Sequence, residues 1–196
     1  MTTSSSHHAD TVRKVGALAL SDAVEITILI DLIKKQNANG INTALTKAGA
    51  GRAGAVLQNS MLARLVTIVA RAYAPAKNGD SHVRVAKEQL KHHVTRQIFT
   101  TPAGGKERVD DFEARWSKCS GDHRRDKVKE FRDKYTAHLG EPTEIDEPTY
   151  KELFGFATAT AELMESLALA TRAAARPIAS DPDVAMSAAN FWKPWS

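Results

Sequence analysis

Apolar side chains recur in steps of three and four along most of this chain. In residues 53–73 the series is Leu57, Met61, Leu65, Ile68 and Ala72. An α-helix turns about 100° per residue, so this spacing gathers the five on one face. The pattern returns as Val83, Ala86, Leu90, Val94 and Ile98, and again as Leu153, Phe156, Thr160, Leu163 and Leu167. Breaks separate the stripes: Asn37 and Gly40, the run APAKNGD at 74–80, TTPAGG at 100–105, and Gly140 with Pro142. A helix with one apolar face must bury it against another helix, so the chain is constrained towards a helical bundle.

The spacing predicts main helices near residues 10–36, 53–73, 81–99, 121–139 and 150–176, with a short polar helix over 109–118. Within the first, VEITILI alternates and is β-branched, which also suits a strand. Ile26, Leu29, Ile30 and Ile33 fit helical spacing equally, and no partner strand is evident, so helix is the better assignment. Alanine and leucine dominate and aromatic residues make up only 6% of the chain, which favours helix over sheet. The expected fold is all-α, a single-domain up-and-down helical bundle of about five main helices. Residues 1–9 read as a disordered polar lead, 10–176 as the bundle and 177–196 as a C-terminal tail. The aromatic residues Phe191, Trp192 and Trp195 suit docking of that tail on the bundle or on a second subunit.

The lone Cys119 leaves no intrachain disulfide, which fits a reducing cytosol, and it reads as an ordinary small residue rather than a catalytic thiol. The N-terminal MTTSSSHHAD lacks the pattern of a secretory signal. The longest apolar run, 23–33, is interrupted by Glu25 and Asp31 and is too short to span a bilayer. A cytoplasmic protein with no membrane partner is expected.

Net charge is +4, unevenly spread. Residues 82–134 carry 14 basic and 9 acidic side chains, and 141–183 carry 3 and 9. A basic middle beside an acidic third can present one surface to a polyanion, or the two can be solvated faces that neutralise each other. Arg84, Lys87 and Lys91 are positioned to meet phosphates, although long charged residues are also the usual exterior of a helix.

Two motifs carry little. Gly49, Gly51 and Gly54 spell G-x-G-x-x-G, but no strand precedes them and no acidic residue lies between Asp31 and Asp80, so they read as a flexible helix start. His92 and His93 are adjacent, point about 100° apart and cannot easily share a metal with His82. No metal or other cofactor is expected.

The segment 131–139, FRDKYTAHL, places Arg132 six residues before His138. Among 13 arginines and 7 histidines, chance alone supplies about one arginine with a histidine five to seven residues on, so the context must carry the reading. Val128, Phe131 and Tyr135 form an apolar stripe, with Arg132 at one margin and His138 at the other. In one straight helix His138 lies about 120° around from Arg132 and roughly 9 Å farther along the axis, so the two do not converge. They converge if the helix loosens near Gly140, or if two copies face each other about a twofold axis. Arginine grips phosphate through two hydrogen bonds, and histidine exchanges a proton near neutral pH. Arg125 and Lys129, with Lys134, extend the basic margin that RNA would meet.

FRDKYTAHL resembles the R-x4–6-H signature of the HEPN superfamily, the helical domains of higher eukaryote and prokaryote nucleotide-binding proteins. The phrase R-D-K-x-x-A-H-L is most similar to the abortive-infection branch. The specific match spans nine residues, with a looser likeness in helix order over most of the chain. The resemblance implies a bundle that dimerises through the motif helices and cleaves RNA without a metal. Carried over, Arg132 binds the scissile phosphate, His138 is general acid or base, the RNA 2′-hydroxyl is nucleophile, and Asp133 orients the pair. Asparagine is common at the position of Asp133. A toxin branch has tyrosine two residues after the histidine; here Gly140 stands there. The implied role is phage defence or a toxin, with an antitoxin or defence partner. Two other readings stay open: a non-catalytic RNA- or protein-binding module, and a helical protein in which Arg132 and His138 are structural contacts.

Overall fold

The structure, a computed structural model, describes residues 3–38, 40–77, 80–133 and 147–196. Among these the regular structure is helical, without strands. In chain order the helices are α1 (Thr3–Asn37), α2 (Ile41–Lys47), α3 (Gly51–Ala72), α4 (Val83–Gln89), α5 (His93–Thr100), α6 (Gly105–Ser120), α7 (Arg124–Phe131), α8 (Tyr150–Ala170) and α9 (Pro182–Trp192). Short 3-10 turns at Ile178–Ser180 and Lys193–Trp195 flank α9. The all-α fold is as expected, but the expectation of about five main helices is coarser than this order.

Helices α1 and α8 form the central pair. Along α1, Val12, Val15, Ala19, Ala23, Ile26 and Ile30 are buried in steps of three and four. Leu153, Phe156, Leu163, Met164 and Leu167 of α8 face them, and α3 and α6 close the core with Leu65, Ile68, Val109 and Phe112. Each fully buried side chain of this size contributes about 1.5–3 kcal/mol. Helices α3 and α8 have the length and apolar character of membrane spans, but α8 is the inner helix of this core. At one end of the central pair Gly16 meets Thr171 so closely that an added Cβ would lie 2.0 Å from the Thr171 hydroxyl oxygen.

The alternating stretch VEITILI is helical. Ile26, Ile30 and Ile33 are buried, while Glu25 turns outward to Arg64, with two guanidinium–carboxylate contacts of 2.6 and 2.7 Å. Burial of the 3.6-residue face overrides β-branched propensity.

Several boundaries differ from the sequence expectation. The lead expected to be disordered over 1–9 is helical from Thr3; Ala9 continues the buried stripe, and the His8 ring stacks on His92 at 4.6 Å. The connection 38–52 holds α2, because Ile41 and Leu45, one turn apart, both reach the core. The glycines of the G-x-G-x-x-G string form a tight corner: Gly49 is left-handed at φ 74°, and a Cβ on Gly54 would stand 2.8 Å from Leu45 Cδ1.

The helix predicted over 81–99 is two helices, broken at Leu90–His92. The break resets the helical phase, so Thr95 and Phe99 are buried where Val94 and Ile98 were expected, and Val94 and Ile98 are exposed. The short polar helix is the sixteen-residue α6. Helix α8 stops at Ala170 rather than Arg176. Arg172 takes φ 61°, and the Ala173 and Arg172 amides donate back to the Ala168 and Leu169 carbonyls at 2.9 and 3.2 Å, a Schellman closure without glycine. The tail folds as α9 along α1. Val184, Ala188 and Trp192 are buried there, and Trp192 Nε1 donates to the Leu32 carbonyl at 3.0 Å.

Candidate functional site

Helix α7 carries the first part of the Arg–His segment and lies against α3 and α8. Its start is fixed by Asp122, whose carboxylate accepts from the Arg124 backbone N–H at 2.9 Å and from its guanidinium at 2.5–3.1 Å. These bonds hold the Asp122 carboxyl below the usual carboxylate range. Arg124 lies over the Phe156 ring at 5.9 Å, where α8 presents Gly155. Val128 is buried and Phe131 half-buried, which roots α7 by its apolar stripe. Lys127 Nζ then reaches the Glu152 carboxylate at 3.2 Å.

Rooting that stripe leaves Arg125, Lys129 and Arg132 along its margin, in steps of four and three. At Arg132 and Asp133 the backbone widens into π-helical conformation, a distortion frequent at functional sites. These three cations and Arg84 of α4 line a cleft of about 270 Å³, whose floor includes Tyr73 and Phe156. Asp126 is the one acidic side chain among its described lining residues. Arg125 bonds Asp126 at 2.9 Å and the Ser120 carbonyl. Arg84 donates to the Tyr73 carbonyl at 3.4 Å, with no carboxylate within ion-pairing distance among the described residues. Arg132 donates from Nε to Asp133 at 2.7 Å and also from Nη2, and Lys129 Nζ stands 3.9 Å from Asp133. A phosphate entering the cleft meets several cations in a partly desolvated concavity, and it competes with Asp133 for Arg132.

Tyr73 forms the floor rather than an acid. Its hydroxyl is 2.9 Å from Thr160 Oγ1, which itself donates to the Phe156 carbonyl, and burial pushes the phenol well above its ordinary value. Cys119 is buried, with Sγ 3.6 Å from the Ala159 carbonyl, and burial likewise raises its thiol, which disfavours the thiolate.

Of the residues singled out from the sequence, Arg125, Lys129, Arg132 and Asp133 come together here. His138 and Lys134 lie outside the described residues, as do Tyr135 and Gly140. Lys87 and Lys91 do not join: Lys87 pairs with Glu113 at 2.6 Å and Lys91 with Glu88 at 2.5 Å. Arg96 and Lys106 are likewise tied to Glu113 and Asp110, so much of the positive charge of residues 82–134 is neutralised between α4, α5 and α6. Tyr73 and Trp116 were missed by sequence reading. The signal for Trp116 was a second aromatic ring, one turn after the buried Phe112, on an otherwise polar helix; Tyr73 looked like the ordinary end of an apolar stripe.

Comparison with curated proteins and with solved structures returns no match. The family model HEPN_AbiU2, described as AbiU2, matches residues 16–188. That span runs from Gly16, in the middle third of α1, into α9 and includes the whole of α7. The chain therefore belongs to the AbiU2 family of the HEPN superfamily, an abortive-infection-like family of helical domains.

Proposed function

We propose that the protein is a metal-independent endoribonuclease of HEPN type, acting as a defence or toxin component in the cytoplasm. One observation carries this reading: Arg132, the arginine of the family-like motif, lines a cleft with Arg84, Arg125 and Lys129. Four cations around one concavity suit a phosphodiester backbone better than a neutral ligand.

In this reaction Arg132 binds a non-bridging oxygen of the scissile phosphate and stabilises the charge that grows there. The RNA 2′-hydroxyl attacks phosphorus as His138 takes its proton. The bond from phosphorus to the 5′-oxygen breaks, and that oxygen receives a proton from a second acid, supplied by His138 of a second copy in a dimer joined through the motif segments. The products are a 2′,3′-cyclic phosphate and a 5′-hydroxyl. Asp133 orients Arg132 before substrate binds and then yields to it.

The test is incubation of the purified chain with single-stranded RNA in chelator. Cleavage that leaves a 5′-hydroxyl and is lost in His138→Ala supports the reading. No cleavage of any RNA supplied, or cleavage undiminished in His138→Ala, overturns it.

A further inference from the structure

The cleft beside Arg132 does not end at Arg84. A second concavity of about 300 Å³ shares Tyr73, Arg84 and Arg125 with it and continues to Trp116 of α6. The two form one groove, with Arg132 and Lys129 at one end and Trp116 at the other. Trp116 is half-buried, and its ring lies 5.7 Å from that of Tyr73, so it is held as a platform rather than swinging free. Its indole N–H has no hydrogen-bond partner among the described residues. Arg84 stands between the two ends, bonded to a backbone carbonyl and paired with no described carboxylate. Glu88 borders the far end and is engaged with Lys91.

We propose that this extension is a single-strand RNA subsite that holds the nucleotide next to the scissile phosphate. Arg84 takes the neighbouring phosphate and Trp116 stacks a base. The chemistry is that of single-stranded recognition: a cation tracking the backbone beside an aromatic face that accepts any base. The assignment rests on the ribonuclease reading for the place of the scissile phosphate, but the subsite is a binding property and can be measured without cleavage.

The experiment titrates the His138→Ala protein with a single-stranded 2′-O-methyl oligonucleotide, which lacks the nucleophile and cannot be cut. Binding should quench tryptophan fluorescence, and the quench should vanish in Trp116→Phe while persisting in Trp195→Phe. Trp116→Ala should weaken binding by about fivefold to a hundredfold, the range for loss of one stacked base. Arg84→Ala should weaken binding and lower the salt slope by about 0.7, the value for one phosphate contact on a single strand, and Arg84→Lys should recover most of both. Lys106→Ala, on the outer face of α6, should change nothing. Absence of binding, or a quench and affinity unmoved by both Trp116→Phe and Arg84→Ala, overturns the subsite. Intact binding with no cleavage by the wild type overturns the catalytic reading and leaves the subsite standing.

Discussion

Lys127 Nζ lies 3.2 Å from the Glu152 carboxylate, and the same carboxylate closes a capping box with Thr149 at the start of α8. One acidic side chain thus fixes a helix terminus and ties α7 to it. Bonds from the Thr149 backbone and hydroxyl, with Lys127, push Glu152 down to about 2. A depressed carboxylate contributes stability that is complete above its unfolded value near 4.5 and is lost as pH falls towards 2. Urea-unfolding midpoints of wild type and Glu152→Gln should therefore differ at neutral pH, draw together as pH falls below 4.5, and converge only below about pH 2. Thr149→Ala should cost about 1 kcal/mol at neutral pH.

Asp133 competes with substrate for Arg132. The pair is partly exposed, at 27% and 39% for the two side chains, so its strength is modest. Asp133→Asn should keep the fold, release the guanidinium from a carboxylate and raise the RNA cleavage rate about twofold to fivefold, the equivalent of one exposed ion pair. A fall in rate would show that Asp133 still positions Arg132 once substrate is bound, rather than yielding to it.

Gly16 and Gly155 both sit at helix crossings but differ in what a methyl group would meet. At Gly16 it would strike the β-branched Thr171, including its Cβ at 2.8 Å. At Gly155 the neighbour is the end of the Arg124 guanidinium at 2.7 Å, which can move. Gly16→Ala should destabilise by about 1–3 kcal/mol. Gly155→Ala should be near neutral, because the helical gain of about 1 kcal/mol offsets the displacement of Arg124. Thermal melts of the two variants compare them directly.

His82 is buried at the start of α4, with neither ring nitrogen hydrogen-bonded and Nε2 3.5 Å from Asp80. Burial pushes it below its ordinary 6.5; Asp80 opposes this, and Arg71 and Arg84 reinforce it. The unfolded chain therefore binds a proton near 6.5 that the folded chain refuses. Stability should be full above that pH and decline as pH falls through it towards the lower folded value. His82→Phe should flatten the decline measured by urea unfolding between about pH 7.5 and 5.5.

The fold class was legible because three-and-four spacing survives in α1, α3 and α8, although Leu57, the first member of the α3 series, is exposed and that stripe is buried only from Met61 onwards. Phase was not legible across Leu90–His92. No glycine or proline marks that break, and the series Val83 to Ile98 reads as one helix although it turns a corner. The folded start of α1 was hidden because SSSHH suits solvent as well as helix, and only the docking of Ala9 decides between them. At the site, Arg125, Lys129 and Arg132 followed from the margin of the α7 stripe, which is local geometry. Arg84 and Trp116 come from α4 and α6 and Tyr73 from the turn that ends α3, and their meeting depends on tertiary packing that local spacing does not encode.

The central claim is that Arg132 holds the scissile phosphate for a proton transfer by His138. Its most direct measurement is the single-turnover cleavage rate of a single-stranded RNA in chelator, for wild type, Arg132→Ala and His138→Ala, each with its thermal melt. The account predicts rate losses of about a hundredfold or more in both variants with unchanged melting. Arg132→Ala cleaving at the wild-type rate with an intact fold would contradict it.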